Sequence, residues 1–151
     1  MRDKRFITEH RGGPLAREHH HQLLQWACDC SRHVLPLFGG KTDKRLTVAM
    51  DIARRWKLGD ASVGDARRAS LGAIAAANES SDPAAIAVAR SVGHAVATAH
   101  MADHSLGAAW YALKAVKSAG RSVDAERRWQ DAQLPPGIRE LVLTARESRH
   151  I

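Results

Sequence analysis

The chain has 151 residues, with 44% hydrophobic and 26% charged side chains, a net charge of +7 and a pI near 10.1. That length buries about 70% of the unfolded surface and supports one autonomous core. The balance is that of a globular domain, which excludes a disordered or fibrous chain, and no apolar run nears the ~18 residues of a membrane helix.

The first thirteen residues, "MRDKRFITEHRGG", read as an irregular basic arm. They lack the apolar stretch of a secretory signal. One helical domain is predicted over 14–148. Pro14 suits a helix start, and Leu24, Ala27, Cys28, Ser31, Leu35 and Phe38 recur at helical spacing, so the first helix is expected over Leu15–Phe38, bent or ended near Pro36. Asp43 caps a second to Leu58, closed by Gly59. Ser62 and Asp65 form a capping-box-like opening to a third, ending near Glu79. Asp82-Pro83 starts a fourth that reaches about Met101. Ser105 caps a fifth to Ala119-Gly120, Ser122 opens a short sixth, and Pro135-Pro136 precedes a last helix over Gly137–Ser148. Alanine is abundant and β-branched clusters are missing, so the fold class is all-α: a single compact bundle of six to seven helices with Ala-rich central helices. The fourth and fifth form its centre, because apolar residues cover most of the fourth helix's circumference.

Most of the positive surplus is N-terminal. Residues 1–59 carry 12 Lys/Arg against 6 Asp/Glu, while the two later thirds are nearly balanced. Such a surface suits nucleic acid, an anionic membrane or an acidic protein, or serves solubility alone. The third helix, "DARRASLGAIAAAN", is a poor base reader, being mostly alanine after its first turn.

Histidine dominates the polar chemistry. "GHAVATAHMADHS" sets His94, His100, Asp103 and His104 in an apolar run. On a continuous helix His100 and His104 would lie about 6 Å apart and could form a metal pair, whereas His94 would sit roughly 15 Å from His104. No H-E-x-x-H accompanies them, so the favoured reading is of hydrogen-bonded core histidines with no cofactor. Trp26, Asp29, Cys30 and His33 follow helical spacing, which makes Asp29 and His33 neighbours. Cys30 with His33 could be a nucleophile and its base, although a small buried cysteine fits better. Cys28 and Cys30 differ by about 200° around the helix and cannot readily pair. They suit a reducing, cytoplasmic setting. "EHHHQ" at Glu18–Gln22 reads as a solvated helix surface. We expect His94, His100, Asp103 and His104 to meet Asp29 and His33 in one polar network between helices.

Five segments together resemble one family: "EHRGGPL" (Glu9–Leu15), "WACDCSRHVLPLF" (Trp26–Phe38), "SVGDARRAS" (Ser62–Ser70), "SVGHAVATAHMADHSLGAAWYALKAV" (Ser91–Val116) and "LPPGIRELVL" (Leu134–Leu143). Their order and spacing are similar to the small bacterial immunity proteins of the five-like class in the toxin-immunity nomenclature. The resemblance implies an all-helical cytoplasmic protein that binds a cognate toxin and has no established catalytic residues. Arg11, Trp26, Asp29, His33, His94, His100, Asp103 and His104 match its pattern. A +7 immunity protein fits a toxin with an acidic surface. The alternatives are a metal-dependent enzyme built on the His/Asp cluster and a basic nucleic-acid binder.

Overall fold

A computed structural model describes residues 2–151. Seven α-helices follow one another: α1 Arg17–Val34, α2 Lys44–Lys57, α3 Val63–Asn78, α4 Pro83–Ala97, α5 His104–Ser118, α6 Val123–Ala132 and α7 Pro136–Arg149. There is no sheet among the described residues. The expected caps form except at α5, where Ser105 lies inside the helix and donates its Oγ to the Ala102 carbonyl at 2.7 Å instead of capping it. The Oγ of Ser62 accepts from the Asp65 amide at 3.0 Å while the Asp65 carboxylate accepts from the Ser62 amide at 2.9 Å, closing a capping box. Asp43, Asp82 and Ser122 each accept a backbone N–H of the helix that follows.

Three segments depart from the sequence expectation. The first helix stops at Val34 and runs on as a 3-10 turn, Leu35–Phe38, because Pro36 has no N–H to continue the α-helical ladder. The N-terminal arm folds back on itself instead of running as an irregular segment. Two 3-10 turns, Lys4–Phe6 and Glu9–Arg11, fold it back so that Ile7 and Glu9 exchange backbone hydrogen bonds with Leu15. Phe6 and Leu15 are buried there. Pro14 therefore lies in this fold-back and α1 begins at Arg17. Gly13 permits the turn, since a Cβ there would fall 2.1 Å from the Ile7 carbonyl oxygen. Finally, α4 ends at Ala97 and the chain turns through Thr98–Asp103 before α5 begins at His104.

The core centres on α4, which packs against α1, α2, α3 and α5. Small side chains allow this. Ala85, Ala89, Gly93 and Ala95 of α4 are buried, as are Ala108, Ala112 and Ala115 of α5. Such smooth surfaces specify register weakly, and buried hydroxyls supply the missing specificity. The Ser91 Oγ donates to the Ala108 carbonyl at 2.7 Å and lies 2.8 Å from the Ser31 Oγ, tying α1, α4 and α5 at zero exposure. The Ser70 Oγ donates to the Gly93 carbonyl at 3.0 Å, tying α3 to α4. On the opposite side, the Trp26 indole donates to the Gln130 carbonyl at 2.8 Å, and Arg146 of α7 reaches Gln130 and Asp131. Replacing Ser91 with alanine strands the Ser31 hydroxyl in the core. Denaturant unfolding of S91A is expected to show a loss of about 1–3 kcal/mol with an unchanged m-value.

Candidate functional site

The turn between α4 and α5 brings the histidines together in a way a continuous helix would not. Because α5 runs back along α4, His94 meets His104 with an Nδ1–Nδ1 separation of 3.0 Å. The expectation of about 15 Å fails for that reason. His94 lies over Gly107, where a Cβ would sit 2.5 Å from its Nδ1, so this position admits no larger residue without moving the ring. The His94 ring also stacks on Tyr111, with centroids 5.2 Å apart and planes at 22°. His100 flanks His104 on the other side at 5.3 Å. Four rings, Tyr111, His94, His104 and His100, thus form a half-buried row along the edge between α4 and α5. At one end the Asp103 carboxylate accepts from Arg2 at 2.8 Å. At the other, Arg90 and Lys114 lie over Tyr111 at 5.9 and 5.6 Å.

An Nδ1–Nδ1 hydrogen bond requires one ring to donate and the other to accept, so at least one imidazole is neutral. Burial, and then the proximity of His94, push the His104 imidazole down to about 4. Burial lowers His94 as well, and burial with Arg67 and Arg11 lowers His100. The Nδ1 of His100 is buried without a hydrogen-bond partner, contrary to the fully bonded core histidine expected there. Among the described residues no group of three or more His, Cys, Asp and Glu side chains is arranged to hold a metal ion. His100 and His104 do not form the helical i, i+4 pair, because α4 has ended at Ala97, before either of them.

The Trp26, Asp29 and His33 set does not join this row. Asp29 accepts from Gln25 at 2.9 Å and Arg32 at 3.3 Å, all within α1. His33 turns away from Asp29. Its Nδ1 donates to the buried Glu126 carboxylate at 2.6 Å and its ring stacks on Trp129, with centroids 3.5 Å apart and planes at 7°. The single polar network expected between the two sets is therefore two separate clusters, since α6 supplies His33 with a better partner. Arg11 lines a small cleft of about 50 Å³ with His100 and Asp103, beside the histidine row. Cys30 is fully buried, which pushes its thiol far above the ordinary range, and Cys28 is pushed up to about 12. Neither supplies a thiolate near neutral pH. "EHHHQ" is less solvated than expected. His20 is buried and donates to the Thr98 carbonyl at 2.6 Å, and Trp56 packs on both His20 and His21.

Tyr111, Gly107, Arg90 and Arg2 complete the site and were not among the residues singled out from the sequence. Tyr111 and Gly107 follow His104 at i+7 and i+3, a spacing that places all three on one face of α5. Arg2 carries no such signal.

Two outcomes follow from the row of rings. His104 binds its proton more weakly folded than unfolded, so the unfolded chain takes up more protons between pH 6.5 and 4. Stability is then at its full value above about pH 6.5 and falls as the pH drops through this window. A melting-temperature profile should show that fall, and H104Q should flatten it. Introducing a methyl group at Gly107 displaces His94. In G107A the NMR signals of the His94 and His104 rings should shift together, with a stability loss of about 1–3 kcal/mol.

Comparison with known proteins gives one assignment. The family model described as "Imm-5 like putative immunity protein" matches residues 13–137. Neither the curated proteins nor the solved structures yield a match. The matched span takes in α1 to α6 and the whole ring row. The chain belongs to the Imm-5-like family of immunity proteins.

Proposed function

We propose that the protein neutralises a cognate bacterial toxin by binding it in the cytoplasm of the producing cell, and that the toxin surface it meets is acidic. The observation that carries this reading is the family match over 13–137. The net charge of +7 supports the sign of the contact, because complementary fields speed capture and disfavour partners of like charge. No helix of the described residues is long and apolar enough to cross a membrane. Part of the N-terminal positive charge is taken up by the chain's own carboxylates. Arg5, Arg32, Arg45, Arg54 and Arg55 are paired with Asp3, Asp29, Asp43 with Glu79, Asp51 and Asp60 respectively. These pairs also weaken the nucleic-acid reading, which needs free cations aligned on one face.

Co-expression with the toxin domain encoded in the same locus tests the proposal. Cells carrying both genes should grow, and the purified pair should elute as one complex whose association rate falls with added salt. Growth arrest despite abundant soluble protein would refute it.

A further inference from the structure

The outer edges of α3, α4 and α5 combine exposed apolar side chains with cations that enter no ion pair. Leu71 and Ile74 of α3 are 66% and 42% exposed, although large apolar side chains dominate the interior. Ile74 borders α4, since a Cβ on Gly93 would lie 3.5 Å from it. Arg90 and His94 follow on α4, one turn apart, and Tyr111 and Lys114 follow on α5. Between them, α4 and α5 hold Arg90, Lys114 and Lys117 and no carboxylate from Pro83 to Ala97 or from His104 to Ser118. Among the described residues neither Arg90 nor Lys114 enters an ion pair. Both instead rest over the Tyr111 ring. A cation held over an aromatic face stays available to an incoming carboxylate, and Tyr and Arg are the residues that most often anchor protein interfaces. A cleft of about 630 Å³ between the N-terminal arm, α1 and α2 also exposes Leu58 and Val63 beside Arg17 and Lys57, but Glu9 lines it too, whereas α4 and α5 carry no carboxylate.

We infer that this α3–α5 face is the docking surface, and that its occupant is an acidic amphipathic segment of the partner protein, with carboxylates meeting Arg90 and Lys114 and apolar side chains covering Leu71 and Ile74. The inference rests on the proposed toxin-binding role and names the surface that performs it. Charge complementarity selects the occupant. A second copy of this chain would bring cations against cations, and a purely apolar partner would leave Arg90 and Lys114 desolvated without counter-charges. The half-buried histidines beneath are held neutral by burial, so they present ring faces and N–H groups to the partner.

The test uses the full-length protein and a synthetic amphipathic helical peptide of about five turns, glutamate on one face and leucine on the other, with a lysine-for-glutamate counterpart and a DNA duplex as controls. The glutamate peptide should shift the amide signals of Arg90, His94, Tyr111 and Lys114, and the lysine peptide should not. R90E/K114E should weaken the glutamate peptide about tenfold or more with unchanged helical circular dichroism, both side chains being exposed. L71D/I74D tests the apolar half separately and should lower affinity to a similar degree. Shifts confined to the cleft by α1 and α2, an R90E/K114E variant that binds as wild type, or tighter binding of duplex DNA at the same residues would each overturn the inference. Toxin rescue separates it from the broader role. If R90E/K114E protects cells as well as wild type, this surface is wrong while the immunity function stands. If wild type itself fails to protect, the function is wrong whatever the peptide does.

Discussion

Close approach of α4 to its neighbours is the constraint on which the molecule depends. Ala85, Ala89, Gly93 and Ala95 present little more than backbone to α1, α3 and α5. Packing of this kind buries area efficiently, yet small side chains interlock poorly and leave helices free to slide. Ser91 and Ser70 remove that freedom. Each fills a fully or nearly fully buried position and satisfies its hydroxyl on the backbone of another helix or across to a second hydroxyl. A buried hydroxyl has only a few acceptors within reach, so a slip of one residue leaves it unpaired at a cost of roughly 1–3 kcal/mol. The register of four helices is thereby set by a few polar atoms inside an apolar core.

The ring row is a consequence of that register. His94 can lie flat over Gly107 only where α4 and α5 nearly touch, and only because position 107 has no side chain. The same juxtaposition stacks Tyr111 on the His94 ring and brings His104 against it at a tilt. Desolvation then keeps the imidazoles neutral near pH 7, which is what the Nδ1–Nδ1 hydrogen bond requires. Core packing thus determines both the position of these side chains and their charge.

Local signals in the sequence carry the fold well. Ser62 with Asp65, Asp82 with Pro83, and Pro135 with Pro136 mark boundaries that the structure places within a residue or two, because caps and proline act through bonds to adjacent backbone. What the sequence does not reveal is where chain reversal brings distant residues together. Extending α4 to Met101 kept His94 and His104 on one rod, whereas an end at Ala97 folds one onto the other. His33 shows the same limit. Its neighbour in sequence, Asp29, lies within reach on α1, but the buried carboxylate of Glu126, 93 residues on, wins the hydrogen bond. Periodicity reports which face of a helix a residue occupies, and only tertiary packing decides what that face meets.

Charge makes the same point at the level of function. Counting residues locates the positive surplus in the first 59 positions, but several of those cations are paired with the chain's own carboxylates. A cation paired with its own carboxylate has little field left to offer a partner, and exposed pairs of this kind contribute little to stability either. The cations freest to meet a partner's carboxylates are those the fold leaves without one of its own. Arg90 and Lys114 are in that state because α4 and α5 were built from alanine, serine and glycine to pack closely, with no acidic residue on either helix. The composition that lets the core form therefore also leaves its outer edge positive, with a tyrosine ring beneath the charges and exposed leucine and isoleucine beside them.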